Sequence, residues 1–134
     1  MTSQTATKFE LTYGSMYNPP SELHDRFDQA IEKVRAGLGR EYSMWINGKD
    51  RFADQKFEDR TPIDTGIVLG VFQKGTAQDA KDAIDAACKA FDGWRRTPWQ
   101  DRVALLHKAA DILEERTFII SAAMALEVGK NRME

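Results

Sequence analysis

The segment Ile67-Val68-Leu69-Gly70-Val71-Phe72 is a nearly continuous apolar run, and no other stretch restricts the fold as strongly. A strand with one wet face would alternate apolar and polar residues; a continuous run wants cover on both faces and a neighbour on each edge. It therefore reads as a buried strand. Arg60-Thr61-Pro62 ends whatever pairing precedes it, because proline brings no amide donor to a ladder, and Asp64-Thr65-Gly66 forms the turn that leads in. Parallel neighbours would need crossover connections that the pattern along the chain does not show, so this strand is expected to look for partners in further protein.

Upstream, Tyr42, Met44 and Ile46 alternate with Ser43, Trp45 and Asn47. Asn47-Gly48 then supplies the strongest two-residue hairpin signal, since both positions tolerate positive φ. A returning strand is expected from about Phe52 to Glu58. Before the hairpin, Leu23, Phe27, Ala30, Ile31, Val34 and Leu38 recur at three- and four-residue steps. That spacing predicts an amphipathic helix over 21–38, with Ser21 as N-cap and Gly37 and Gly39 at its stop. Residues 1–20 show no period and carry Gly14, Asn18, Pro19 and Pro20; they read as an N-terminal arm.

Three helices are predicted downstream. Thr76 and Asp79 have capping-box spacing, and Ala80, Ile84, Ala87, Phe91 and Trp94 form one stripe. Thr97-Pro98-Trp99-Gln100 opens a second helix, with Thr97 as N-cap and Pro98 at the first helical position, running to about Arg116. Its apolar residues Val103, Leu105, Leu106, Ala109, Ala110, Ile112 and Leu113 cover a wide arc, so it is expected to be buried on most of one side. The third, from Thr117 or Phe118 to Val128, meets Gly129-Lys130 as a C-cap. Asn131-Arg132-Met133-Glu134 brings no proline and no polar tail, and with an unpartnered buried strand this suggests a piece of a longer protein.

With 134 residues the chain has room for one domain, not two. Nineteen Lys and Arg against twenty-one Asp and Glu give a net charge of −2, which speaks against a nucleic-acid partner. No apolar run approaches the ~20 residues of a membrane span, and the N-terminus lacks the apolar core of a secretory signal and the arginines of a transit peptide. One Cys and two His can close neither an internal disulfide nor a zinc site, and a reducing cytoplasmic setting fits.

Few residues could carry chemistry. Cys88, the single thiol, falls beside the stripe Ile84–Phe91 and is expected to pack as a small hydrophobe. His107 has Asp111 one turn later, an acid–base pair in principle, but no third group or nucleophile accompanies it. His24, near Asp25 and Asp28, is expected to be solvated. Trp94 and Trp99 are expected to pack where their helices meet around Arg95-Arg96, and Arg95, Arg96 and Arg102 are balanced by Asp92 and Asp101. Gly66 and Gly70 mark a strand entry, not a phosphate loop: no Gly-x-Gly-x-x-Gly leads a strand into a helix.

Taken as a set, Trp45-Ile46-Asn47-Gly48-Lys49, Thr61-Pro62-Ile63-Asp64, Ile67-Val68-Leu69-Gly70, Ala83–Trp94, Arg102–Asp111 and Glu127-Val128-Gly129-Lys130 resemble, in order and spacing, the N-terminal part of an aldehyde dehydrogenase. The leading helix with Phe27, Ala30, Ile31, Val34, Arg35 and Leu38, followed by Gly39-Arg40-Glu41-Tyr42, is similar to the branch of the 1-pyrroline-5-carboxylate dehydrogenases. The resemblance implies an α/β fold in which an N-terminal amphipathic helix, a β-hairpin, a buried strand and three helices of a helical layer pack beside a dinucleotide-binding domain, with residues 21–134 forming the N-terminal portion of that domain. It also implies NAD-dependent oxidation of an aldehyde, L-glutamate γ-semialdehyde or another aldehyde of the superfamily, through a cysteine thiolate and a general-base glutamate. In the family those groups and the cofactor-binding βαβ unit lie beyond this segment, so no catalytic or cofactor-binding residue is assigned here, and Cys88 does not match the nucleophile. Glu134, shortly after Glu127-Val128-Gly129-Lys130, is the one substrate-binding candidate, as a partner for the substrate's ammonium; a surface or interdomain salt bridge is the plainer alternative. The implied partners are the rest of a dehydrogenase chain or further copies of this one. A non-catalytic helical interaction module, or an added subunit, is the competing reading.

Overall fold

In the computed structural model, which describes residues 17–133, the apolar run becomes the middle of a three-stranded sheet. Strand β5 (Val68–Gln73) lies between β1 (Arg40–Tyr42) and β4 (Lys56–Arg60). The β1 pairing is parallel, with Arg40 opposite Gly70 and Tyr42 opposite Phe72, whereas β4 is antiparallel, with Lys56 opposite Gln73 and a register shift between Asp59 and Arg60. The expectation that no crossover exists is thereby corrected. Residues 43–67 are the crossover, built of strands and loops where a helix is the usual solution. The strand is also less buried than its composition suggests: of its six residues only Gly70 and Gln73 are buried.

Register explains the local choices. On one face of this sheet the Tyr42 and Phe72 rings stack 5.1 Å apart and Phe57 lies 5.9 Å from Phe72, an aromatic ladder across all three strands. Gly70 is required by that ladder, because a β-carbon there would stand 2.9 Å from Cε2 of Tyr42 and 3.0 Å from Cε2 of Phe72. Since Tyr42 is committed to β5, it does not belong to the hairpin. That hairpin is β2 (Met44–Ile46) with β3 (Lys49–Arg51), turning at Asn47 (φ 53°) and Gly48 (φ 73°). A two-residue turn forces the return to begin at once, so the return is Lys49–Arg51 and not the expected Phe52–Glu58.

Helix α1 (Ser21–Arg35) starts one residue earlier than predicted and ends three short of Leu38. Pro20 is its N-cap and Ser21 its first helical residue, with no side-chain cap bond; Gly39, at φ 73°, turns the chain into β1. Its inner face, Leu23, Phe27 and Ala30, is buried, and it packs on the last helix, α4 (Thr117–Val128). There Ala122, Ala125 and Leu126 are buried, and the two alanines are small enough to let the backbones approach. Helix α4 closes as the sequence indicates: Gly129 takes φ 71° and its amide donates to Ala125 O at 3.1 Å.

Between these lie α2 (Ala77–Trp94) and α3 (Trp99–Glu115). The α2 capping box is present, with the Asp79 amide donating to Thr76 Oγ1 at 3.2 Å and the Thr76 amide donating to Asp79 Oδ2 at 2.8 Å. At α3 the N-cap is Pro98, not Thr97, because the Thr97 hydroxyl donates to Gly93 O at the end of α2. No residue of α3 is buried, which corrects the expectation that most of one side would be. The predicted arm, residues 1–20, lies outside the described residues up to residue 16.

Candidate functional site

Three places in the structure hold polar side chains together. At the start of α2, Arg51 of β3 reaches Asp79 Oδ1 at 2.9 Å and Asp82 Oδ2 at 3.2 Å, tying the hairpin to the helix. The Asp79 carboxyl is held below its ordinary value chiefly by the Thr76 hydroxyl, then by the Thr76 amide and Arg51. Asp82 is lowered by Gln78 first and Arg51 second.

On the sheet, the buried Gln73 side chain donates to Glu41 Oε1 at 3.0 Å and to Tyr42 O at 2.9 Å, and accepts from the Ala53 amide at 2.9 Å. One amide thus joins β1, β5 and the loop before β4. Lys56 Nζ sits 2.8 Å from Glu41, and this contact, with Gln73 behind it, lowers the Glu41 carboxyl.

Beyond the α4 cap, Arg132 extends to α1. Its Nη1 lies 3.0 Å from His24 Nδ1, its Nη2 donates to Asp28 Oδ1 at 2.9 Å, and its guanidinium carbon stands 5.1 Å from the Phe27 ring centre. His24 is therefore a partner of Arg132 and not simply solvated. Sequence reasoning finds neither Gln73 nor Arg132. The signal for Gln73 is a polar residue at the end of an otherwise apolar strand; for Arg132 there is none without knowing that α1 and α4 are neighbours.

The remaining sequence candidates are scattered. Cys88 is exposed, a correction that follows from the stripe beside it: Ile84 and Phe91 face water, so there is no core for the thiol to join. Trp94 and Trp99 are likewise exposed, Trp99 at 63%, instead of packing together. Arg95 binds Asp92 at 2.9 Å, and Arg102 Nε is buried without an acceptor among the described residues. His107 and Asp111 lie on α3, whose residues are all outside the core. Glu134 lies outside the described residues. Among them no group of acidic, His and Cys side chains could hold a metal ion, and no helix is long and apolar enough to cross a membrane.

The junction between β5 and α2 is not built like a dinucleotide's phosphate-binding turn. At the strand-to-helix junction from β5 to α2 the loop is Lys74-Gly75-Thr76, and Asp79 already occupies the helix N-terminus with a carboxylate. Gly75 serves packing instead, since a β-carbon there would meet Met44 Sδ at 3.0 Å. A phosphate would meet negative charge at that spot.

What the described chain presents most plainly is apolar surface. Ile84, Phe91 and Trp94 of α2 and Trp99, Leu105, Leu106 and Leu113 of α3 are all exposed, Leu106 at 70%. Such a surface in an amphipathic helix pair marks a place where other protein packs. The aldehyde dehydrogenase family model matches residues 45–134. The chain belongs to the aldehyde dehydrogenase family. It is 35% identical over 106 residues to a Staphylococcus aureus 1-pyrroline-5-carboxylate dehydrogenase, and equally to 1-pyrroline-5-carboxylate dehydrogenase 2 of Bacillus subtilis. Each match covers 79% of this chain and 21% of the relative, so the chain spans about a fifth of the length of these dehydrogenases. The structure superposes on a point mutant of the Thermus thermophilus 1-pyrroline-5-carboxylate dehydrogenase with a TM-score of 0.85 at 29% identity, over 99% of this chain and 25% of that one. A Thermus enzyme of the same name with bound NAD gives 0.85 at 28% identity, again over 99% of this chain and 25% of that one. The fold predicted for this family's N-terminal part is the one observed.

Proposed function

We propose that this chain is the N-terminal scaffold, residues 21–134, of an NAD-dependent dehydrogenase that oxidises L-glutamate γ-semialdehyde to glutamate in proline catabolism, in a cytoplasmic setting. The observation that carries this reading is the helix α1 joined to the family's hairpin, strand and helices in one superposition over 99% of the chain. Its own residues form the layer beside the dinucleotide-binding unit, and α2 and α3 present the apolar face that the remaining four-fifths of such a fold, or another copy, would cover. The substrate contact assigned to this part is Glu134, whose carboxylate would meet the substrate's ammonium as a charge-assisted hydrogen bond. NAD would be held by the dinucleotide-binding unit of the longer fold, and the α2 N-terminus, already capped by Asp79, is not offered to its phosphates.

A chimera tests this. Residues 21–134 replace the aligned segment of the Bacillus subtilis relative, and NAD reduction is followed with glutamate γ-semialdehyde; activity is expected. A folded, oligomeric chimera with no turnover would overturn the assignment. The 134-residue chain by itself is expected to be silent in the same assay, and turnover lost on Cys88→Ser would contradict its role as scaffold.

A further inference from the structure

Every residue of α3 is exposed except Arg102, which is half-buried. Its Nε is shielded from solvent without an acceptor, and its guanidinium forms no ion pair among the described residues. The charge balance expected from the sequence is not made: Asp92 is taken by Arg95, and Asp101 leaves Arg102 unpaired. A buried donor without an acceptor is destabilising, more so on a charged group, and a guanidinium cannot relieve this by losing its proton. Trp99, Leu105 and Leu106 lie three or four residues from Arg102, hence on its side of the helix, and each is more than half exposed. Tryptophan and arginine together in such a patch make the composition of an interface anchor. Protein that packs on Leu105 and Leu106 also strips the remaining water from the guanidinium, and a charge desolvated alone is far less favourable than a neutral polar group. A carboxylate answers that charge, meeting Nε and one Nη with two parallel bonds.

We infer that Arg102 is the charged centre of the surface on which the rest of the dehydrogenase docks, and that the docking segment is apolar with one aspartate or glutamate set against the guanidinium. This rests on the reading of the chain as the N-terminal scaffold of a longer fold. The occupant is assigned to the same fold and not to a second copy because the aligned part is 25% of the Thermus thermophilus relative, which leaves most of that fold to cover the patch.

Hydrogen exchange along α3, in the chimera and in the 134-residue chain, tests this with Arg102→Met, which keeps the stem and removes the charge. In the chimera the substitution is expected to speed exchange from Val103 to Leu113 by about tenfold or more, and in the isolated chain, where no partner is present, by less than about twofold. Arg102→Lys should keep most of the protection, and Arg102→Gln, a donor without charge, little. Equal protection in those two would make the acceptor a neutral carbonyl and overturn the proposal. So would unchanged exchange in the Arg102→Met chimera when the parent is active and protected at α3, an outcome that leaves the scaffold reading standing. A parent chimera with neither turnover nor α3 protection removes the scaffold reading and this proposal with it. Protection of α3 in the isolated chain that rises with protein concentration would name a second copy as the occupant and also overturn it. Should Arg102→Met keep the chimera from folding, the yield of active chimera with Arg102→Lys against Arg102→Gln decides: a clear excess for lysine supports the carboxylate, and equal yields contradict it.

Discussion

Helices α1 and α2 carry the same message in sequence, an apolar stripe at three- and four-residue spacing, and meet opposite fates. In α1 the stripe is buried: Leu23 is 2% exposed, and Phe27 and Ala30 join it against α4. In α2 the stripe faces water, with Ile84 and Phe91 exposed and only the capping Asp79 buried. Periodicity therefore identifies the face a helix wants to bury, and whether it is buried depends on a partner being present. For α1 the partner is α4, from the far end of the described residues. For α2 and α3, on the proposed reading, it belongs to the part of the family's fold outside this fifth.

Substitutions can break this comparison. The largest expected effect is on the packed side: Leu23→Ala should cost about 2–5 kcal/mol in urea unfolding, whereas Leu106→Ala on α3 should stay within about 0.5 kcal/mol. Equal losses would mean that α3 is packed in solution after all. Next, Gly70→Ala should cost about 1–3 kcal/mol, since the added carbon meets the Tyr42 and Phe72 rings; a neutral result would show that the aromatic ladder yields easily. Removing the cap with Thr76→Ala should cost about 0.5–2 kcal/mol of α2 helicity, read by circular dichroism; no loss would assign the helix start to Arg51 instead. The smallest effect is with pH. Glu41, Asp79 and Asp82 are all lowered in the folded state, so their stabilisation is present above the ordinary carboxylate range and is lost as pH falls through the lower folded values, below about pH 4. Denaturation midpoints should fall there, and Arg51→Met should flatten the slope.

Local signals are legible wherever the cause is local. The Asn47-Gly48 turn, the Thr76–Asp79 box and the Gly129 cap are each set by a few adjacent residues, and each is observed. The failures involve long-range choice. Tyr42 reads as part of the hairpin until its pairing with Phe72 is known, and the wide apolar arc of α3 reads as core because nothing in its own residues says that the core is elsewhere. Thr97 is lost as a cap to a competitor one turn back, Gly93 O. The site follows the same division: family motifs can be matched residue by residue, but Gln73 and Arg132 act through neighbours 20 to 108 positions away.

Hydrogen exchange along α3, compared between the 134-residue chain and the chimera, tests most directly whether this chain is a scaffold awaiting the rest of its fold. Amides from Val103 to Leu113 should exchange by local opening in the isolated chain and slow by about a hundredfold in the chimera, while those of α4 change little. Equal α3 rates in the two would show that the exposed apolar face is never covered, and the account would be wrong.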